Sequence, residues 1–354
     1  MTVTAKADER RNDSPRRASR ATTLADRDWD AALRLLSKAR RVALLCHLHP
    51  DGDALGSMLA LGIGLRRLGT DVVACWSGGV ELPPTYRMLP GREILVPPST
   101  FPPAPSLLVT LDTSSRERLG ELEAVLDGAK SVLVIDHHAV GDGFGTHHLI
   151  DDTAAATAVV VEELLRRLGV ALDAEIATCL YTGLTTDTGS FKYASTTPAV
   201  HELAARLLGT GIRHDVLARQ IWDTNPFSYL RLLGTALNRA AIDPQAAGGL
   251  GVVWTWTSRD ELDTYGLTMP EIEGFIDVLR TADSAEVAVV CKGDSDGTVK
   301  VSTRSKGQID VGEICARLGG GGHRFAAGFT SDVGVGETMR SLLQLLASAP
   351  HLPA

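Results

Sequence analysis

Short apolar runs alternate with helical spacing of apolar residues in the first half of the chain. The apolar runs predict buried strands at 41–46, 72–76, 107–111 and 132–135. Apolar residues at helical spacing predict one helix before the first run, through Leu33 and Leu36, and another after it, from 54 to 68. Strands joined by helical crossovers pair in parallel, and strands that are apolar on both sides are covered by helices on both faces. The pattern therefore predicts an α/β domain built on a parallel sheet.

The second half changes from helical spacing to a mixed pattern. Helices are predicted at 154–168 and 173–184, and helical spacing continues from 198 to 241 without a strand pattern. After a break at 243–249, we predict strands at 251–256, 286–291 and 298–303 and helices at 269–280, 311–318 and 339–346. These elements predict a smaller α+β domain. The expected organisation is a disordered tail at 1–28, a first domain at 29–195, a helical connector at 196–245 and a second domain at 246–349.

Length and composition agree with two domains. The chain has 354 residues and exceeds the ~250 to 300 residues at which a single core usually stops growing. No apolar run approaches the ~20 residues of a membrane span, and the arginine-bearing N-terminus has no apolar signal core. The five cysteines form no C-x-x-C pair and lie in hydrophobic segments. We therefore expect buried thiols and a cytoplasmic location.

The net charge restricts the partners. The chain has a formal net charge of -8, whereas a protein that tracks long nucleic acid needs many Lys and Arg side chains along one groove. We expect no long nucleic acid and no membrane as a partner, while small anionic substrates stay open. The sequence leaves the oligomeric state open, and a homodimer is one possible assembly.

Residues that can bind metals follow three of the predicted strands and one helix. The residues are His47, Asp51, Asp53, Asp112, Asp136, His137, His138 and Asp187. Because the carboxyl ends of parallel strands lie at one edge of a sheet, we expect His47, Asp112 and Asp136 to converge there.

Each aspartate has an ordinary alternative, since Asp51 or Asp53 alone is typical of a helix N-cap. If these two residues meet Asp112 and Asp187 in one crevice, however, two carboxylates about 4 Å apart repel by ~4 kcal/mol at an effective dielectric of about 20. The motifs contain no lysine or arginine, so metal cations are the expected source of positive charge. Mixed imidazole and carboxylate ligands suit Mn or Mg, and the number of ligands favours two ions over one.

These motifs resemble those of the DHH phosphoesterase family. The resemblance rests on His47-x3-Asp51-x-Asp53, Asp112, Asp136-His137-His138 and Thr186-Asp187-Thr188, in that order. The sequences at 301–305 and 319–328 also resemble the DHH-associated C-terminal domain of the branch that contains nanoRNases, pAp phosphatases and bacterial cyclic-dinucleotide phosphodiesterases.

The resemblance implies a role for each of these residues. The implied ligands are His47, Asp51 and Asp112 for a first Mn²⁺, and Asp53, Asp112, His137 and Asp187 for a second, with Mg²⁺ as the other possible ion. The implied catalytic residues are His138, which contacts the substrate phosphate or donates a proton, and Asp136, which supports the neighbouring ligands.

The glycine-rich run at 319–322 has two ordinary interpretations, a helix C-cap at Gly319 and a flexible linker. It lacks the Gly-Lys-Ser/Thr sequence of a Walker loop. Glycines also let backbone N–H groups approach an anion, and nearby His and Arg side chains can donate hydrogen bonds to it. We therefore predict a substrate-binding cluster formed by Arg304, Gly321, Gly322, His323 and Arg324.

The motifs and the resemblance together predict a two-metal phosphoesterase that hydrolyses short nucleotides to mononucleotides. Candidate substrates are nanoRNA, pAp, linear pApA and cyclic dinucleotides such as c-di-AMP and c-di-GMP. One alternative is a family II inorganic pyrophosphatase, which would need a strongly basic second half. Another is a non-catalytic nucleotide-sensing protein, which would be expected to lack at least one ligand. A long-strand exonuclease is disfavoured by the charge.

Overall fold

The computed structural model describes residues 24–113, 115–138 and 141–352. The predicted disordered tail falls outside the described residues up to position 23, and the first helix begins at Asp26. The chain divides into two compact units between Leu217 and Ala218, within the segment predicted as a connector.

The first unit contains a five-stranded sheet in which every neighbouring pair is parallel. Its strands are β1 (Arg41–Cys46), β2 (Asp71–Cys75), β3 (Leu108–Leu111), β4 (Val132–Asp136) and β5 (His147–Ile150). The order is β2-β1-β3-β4-β5, so the strands that end in candidate ligands are adjacent in the middle of the sheet. The predicted parallel sheet is confirmed.

Helices precede, alternate with and follow these strands along the chain. They are α1 (Asp26–Lys38), α2 (Gly52–Arg67), α3 (Val125–Gly128), α4 (Thr157–Arg167), α5 (Ala174–Asp187), α6 (Pro198–Leu208) and α7 (His214–Trp222). The last of them, α7, includes the boundary between the two units. Between β2 and β3, where no helix was predicted, the described chain forms short 3-10 turns. Prolines explain why no longer helix forms, because this segment contains several of them, and each lacks the N–H that a helix interior requires.

Close packing of α2 against α5 brings the first turn of one helix to the last turns of the other. A Cβ atom added to Gly56 would lie 2.3 Å from the carbonyl oxygen of Cys179. A Cβ atom added to Gly183 would lie 2.6 Å from Asp53 Oδ1. Only glycine permits these contacts, so the backbone approach of the two helices sets the position of Asp53 relative to Asp187.

The second unit is an α+β arrangement around a six-stranded mixed sheet. Its strands are β6 (Ala241–Asp243), β7 (Val252–Thr257), β8 (Val287–Gly293), β9 (Val299–Ser305), β10 (Gly321–His323) and β11 (Ala326–Ser331), in the order β10-β11-β9-β8-β7-β6. Its helices are α8 (Phe227–Asn238), α9 (Ala246–Gly249), α10 (Arg259–Tyr265), α11 (Phe275–Leu279), α12 (Val311–Ala316) and α13 (Val335–Ala347). Separate apolar cores cover the two faces of the sheet.

Several elements of the second unit differ from the predictions. The helix predicted at 269–280 is broken into a 3-10 turn that begins at Pro270 and the short α11. Strands β6, β10 and β11 and helix α10 were not predicted. Helix α10 has a recognisable sequence signal, since Ser258 and Glu261 form a capping box at its start.

All five cysteines are buried and free, as predicted. Within the described residues, no helix combines the length and apolar character that crossing a bilayer would require.

The α2–α5 contact predicts that Gly56→Ala destabilises the first unit. The new methyl group would collide with the Cys179 carbonyl, and overpacking of this kind costs about 1–3 kcal/mol. Differential scanning calorimetry should show a lower unfolding temperature for this variant. The matched control is Gly234→Ala in α8, where an added Cβ meets no atom within 4 Å and should stabilise its helix by about 0.5–1 kcal/mol. A Gly56→Ala protein that unfolds at or above the wild-type temperature would contradict the packing argument.

Candidate metal centre

The carboxyl edge of the first sheet gathers the acidic and imidazole side chains predicted from the sequence. His47 follows β1, Asp112 follows β3, and Asp136 ends β4. Asp53 lies in the first turn of α2, and Asp187 is the last residue of α5. The structure brings these residues together with Asp51, His137 and His138 at one place.

Asp112 lies at the centre of this cluster. Its Oδ2 atom is 3.3 Å from Nε2 of His47, and its Oδ1 atom is 3.6 Å from Nε2 of His137. The side chain is buried, and the backbone adopts a left-handed conformation with φ of 57°. A non-glycine residue keeps such a conformation only where its surroundings demand it, and strain of this kind clusters at functional sites.

Backbone carbonyls determine which nitrogen each imidazole presents to Asp112. Nδ1 of His47 lies 2.8 Å from the Leu48 carbonyl oxygen, and Nδ1 of His137 lies 3.2 Å from that of Ala154. A carbonyl only accepts, so each Nδ1–H donates and each Nε2 of a neutral ring directs a lone pair at carboxylates.

This arrangement fits a metal site. In the described part of the chain, Nε2 of His47 is buried and has no hydrogen-bond partner. A lone pair that faces a carboxylate is unfavourable unless a proton or a metal ion lies between them, and metal-binding histidines commonly donate their other N–H to a carbonyl.

Two of the groups of ligand atoms that have the dimensions of an ion site match the implied ligand sets. One group is His47, Asp51 and Asp112, and the other is Asp53, Asp112 and His137, with the ligand atoms of each group within 4.8 Å of one another. Asp187 adjoins the second group, because its Oδ2 atom is 3.1 Å from Nε2 of His137. Asp112 belongs to both groups.

Asp51 is a helix N-cap and also adjoins the cluster of candidate metal ligands. Its Oδ1 atom accepts hydrogen bonds from the backbone N–H groups of Asp53 and Ala54, each at 3.0 Å, and therefore caps α2. The same atom lies 3.9 Å from Nε2 of His47. The capping bonds hold the carboxylate at the position where it adjoins the cluster.

Asp53 caps a different helix from its own. Its Oδ2 atom accepts from the backbone N–H of Thr157 at 2.6 Å, and its Oδ1 atom accepts from that of Ala158 at 2.9 Å and from Ser57 Oγ at 3.1 Å. The N-cap position of α4 is Ala156, whose side chain offers no oxygen. This contact was not predicted from the sequence, although an alanine before a buried helix start is a signal that the helix needs an acceptor from elsewhere.

Burial and mutual repulsion shift the acidity of these carboxylates. Burial raises the pKa of Asp53 well above its ordinary value, and the charges of Asp112 and Asp187 raise it further. Burial likewise raises the pKa of Asp187 to about 6. For Asp112, burial alone would raise the pKa, but the nearby imidazoles of His47, His138 and His137 hold it well below its usual range. The cluster therefore favours additional positive charge.

Asp136 and His138 form a hydrogen-bonded pair beside this cluster. Oδ1 of Asp136 accepts from Nδ1 of His138 at 2.7 Å and from the backbone N–H of His137 at 2.7 Å. Asp136 is fully buried, whereas the His138 side chain is 15% exposed. The carboxylate therefore orients the imidazole and directs its Nε2 edge away from Asp136.

Two neighbours of the cluster were missed from the sequence. Burial raises the pKa of the Tyr86 phenol, and the charges of Asp51 and Asp187 raise it further. The Arg118 carbonyl accepts a hydrogen bond from the Leu48 N–H at 2.6 Å. Burial and the Arg118 charge oppose protonation of His47, but the carboxylates of Asp112 and Asp51 outweigh them and raise its pKa. Neither residue lies in a recognised motif, and we find no local sequence signal for them.

The predicted substrate-binding residues belong to the second unit. Arg304 lies on β9, and Gly321, Gly322 and His323 form the edge strand β10, followed by Arg324. Gly319 has a positive φ of 81° after α12, so its interpretation as a helix-terminating residue is correct. The run that follows is a strand and not a linker, because it pairs with β11 from Gly321 to His323.

The side chain of Arg304 is incompletely paired within the described residues. Its Nε atom is buried without a hydrogen-bond partner and lies 3.9 Å from Asp277 Oδ1. One terminal nitrogen donates to the Thr303 carbonyl at 3.1 Å. Arg324 has Nε 3.3 Å from Asp310 Oδ2 and is largely exposed. Arg304 thus retains donors for an anion.

Comparisons with known proteins agree with this arrangement. The model of the DHH family N-terminal domain matches residues 41–184, and the DHHA1 domain model matches residues 260–349. The bifunctional oligoribonuclease and PAP phosphatase NrnA of Thermus thermophilus is 37% identical over 290 residues, which are 82% of this chain and 83% of that protein. The chain belongs to the DHH family. The resemblance inferred from the motifs is therefore confirmed.

Two other proteins resemble this DHH protein. The cyclic-di-AMP phosphodiesterase GdpP of Geobacillus thermodenitrificans is 29% identical over 329 residues, which are 88% of this chain and 48% of that protein. The crystal structure of an exopolyphosphatase-related protein from Bacteroides fragilis has a TM-score of 0.81 and 23% identity, and the match covers 92% of this chain and 97% of that one. This structural similarity shows a common fold.

Proposed function

We propose that this DHH protein is a two-metal phosphoesterase that hydrolyses short nucleotides to mononucleotides. The observation that carries the proposal is the position of Asp112, whose two carboxylate oxygens face separate groups of ligand atoms. A carboxylate shared by two ions is the usual arrangement of a two-metal hydrolase. Family membership and the names of the Thermus and Geobacillus relatives support a nucleotide phosphoester as the substrate.

Mn²⁺ is the proposed ion, with Mg²⁺ as the alternative, because the donors mix imidazole nitrogen with carboxylate oxygen. One ion would be held by His47, Asp51 and Asp112, and the other by Asp53, Asp112, His137 and Asp187. When bound, such ions make water a stronger nucleophile at neutral pH and stabilise negative charge on phosphoryl oxygens. All residues of the implied ligand set are present, which weighs against a sensor that has lost catalysis.

His138 is proposed to transfer a proton to the leaving oxygen of the ester. Its Nδ1–H donates to Asp136, so Nε2 is the nitrogen that can exchange a proton with a substrate. The leaving group would be a ribose 3'-oxygen or a nucleotide phosphate ester.

The second unit is proposed to bind the nucleotide through Arg304, Gly321, Gly322, His323 and Arg324. Support comes from the incompletely paired Arg304 and from the exposed edge of β10. An edge strand has backbone N–H groups that are not used in the sheet, and glycines let an anion approach them. The net charge of -8 agrees with short substrates such as nanoRNA, pAp, pApA and cyclic dinucleotides, and not with long nucleic acid.

A substrate panel tests the proposed function. Purified protein in Mn²⁺ buffer should release mononucleotides from pAp, pApA, c-di-AMP or c-di-GMP and from RNA of a few nucleotides, with little activity on long RNA. Asp112→Asn should reduce this activity to background, because it weakens both groups of ligands at once. Inorganic pyrophosphate belongs in the same panel. Hydrolysis of pyrophosphate alone would identify a pyrophosphatase, and nucleotide binding without turnover would identify a sensor.

A second prediction concerns the proton that His138 supplies. His138→Ala should lower kcat by about 10²–10⁴-fold on a natural substrate and leave metal binding unchanged. The loss should be much smaller on a nitrophenyl phosphodiester, because its leaving group departs without a proton. His148→Ala is the matched control, since His148 lies on β5 and bonds only the Phe144 carbonyl among the contacts described. Equal losses on both substrates would contradict the assignment of proton transfer to His138.

A further inference from the structure

Thr157, the first residue of α4, contacts two of the carboxylates in the metal centre. Its side-chain Oγ1 lies 3.1 Å from Asp112 Oδ1, and its backbone N–H donates to Asp53 Oδ2 at 2.6 Å. Thr157 is fully buried. One residue therefore links carboxylates that come from β3 and from α2.

The direction of the hydroxyl bond follows from the chemistry of its partner. The Thr157 hydroxyl donates, because an ionised carboxylate only accepts hydrogen bonds. The bond holds Oδ1 of Asp112 on the side of His137 and leaves Oδ2 on the side of His47. Rotation of the carboxylate away from this orientation would break the bond.

Other buried threonines nearby use their hydroxyl groups differently. Thr182 and Thr185 in α5 donate to backbone carbonyls of their own helix, at 2.9 Å and 2.8 Å. Such bonds satisfy the hydroxyl locally and involve no other element. Thr157 begins its helix, so no carbonyl of an earlier turn of α4 is available, and its hydroxyl bonds Asp112 instead.

We propose that Thr157 is a positioning residue for the metal centre, whose hydroxyl fixes the rotation of the Asp112 carboxylate so that one oxygen serves each ion. The proposal rests on the two-metal function inferred above. The backbone N–H of Thr157 fixes Asp53 at the same time, so a change of side chain removes only the Asp112 contact. Groups that orient a metal ligand typically affect metal affinity or activity by about 10–100-fold.

The test compares Thr157→Val, Thr157→Ser and the control Thr182→Val. Valine keeps the branched shape and removes the hydroxyl, whereas serine keeps the hydroxyl. Calorimetric titration of metal-free protein with Mn²⁺ should show affinity about 10–100-fold weaker for Thr157→Val and near-wild-type affinity for Thr157→Ser. Thr182→Val loses a buried hydroxyl bond inside α5 and should bind Mn²⁺ like the wild type.

Steady-state kinetics provide a second readout. At saturating Mn²⁺, Thr157→Val should lower kcat with little change in KM, because the nucleotide-binding residues are untouched. Thr157→Ala, which removes the hydroxyl without adding bulk, should behave in the same way and serves if the valine variant does not fold. Circular dichroism checks that each variant is folded.

Two failures are distinguishable. If the wild type does not bind two Mn²⁺ ions, the proposed function fails and the inference fails with it. If the wild type binds two ions and a folded Thr157→Val or Thr157→Ala protein binds them equally tightly, the inference alone is overturned. A serine variant that binds as weakly as the valine variant would also overturn it, because the hydroxyl would then not be the cause.

Discussion

Electrostatic repulsion among buried carboxylates is the constraint on which the first unit depends. Asp53 and Asp112 are almost completely buried, and both lie close to His137. Two such charges about 4 Å apart repel by ~4 kcal/mol even at an effective dielectric of about 20. The pKa values of the cluster move in opposite directions, upward for Asp53 and downward for Asp112, as the residues compete for positive charge. A pair of divalent ions would resolve this competition.

The fold contributes partial positive charge of its own. The start of α2 faces Asp51, and the start of α4 faces Asp53, so two helix N-termini direct N–H groups at carboxylates. The positive end of a helix dipole stabilises a nearby negative charge by typically 0.3–1 kcal/mol, which is less than the repulsion. These contacts therefore orient the ligands without neutralising them. The glycine contacts between α2 and α5 hold the helices close enough for this arrangement.

Local patterns predicted the parts of this structure that depend on neighbours in sequence. Apolar runs followed by His47, Asp112 and Asp136 predicted both the buried strands and the edge at which these residues meet. The bond from Thr157 to Asp53 could not be predicted in this way, because it joins positions 104 residues apart. Such a contact depends on how α4 packs against α2, which periodicity does not specify.

The missed strands have a similar physical explanation. Strand β10 consists of Gly321, Gly322 and His323, and glycine has low β propensity and no side chain to alternate between faces. Its pairing with β11 depends on close backbone approach, since a Cβ at Gly322 would lie 2.6 Å from the Ala326 carbonyl oxygen.

The most direct test of the account is a crystal structure of the protein grown with Mn²⁺, measured with anomalous scattering from manganese. The account predicts two anomalous peaks, with the carboxylate of Asp112 bound to both ions and with His47 and His137 on opposite sides. A single peak, or two peaks that share no ligand, would contradict it.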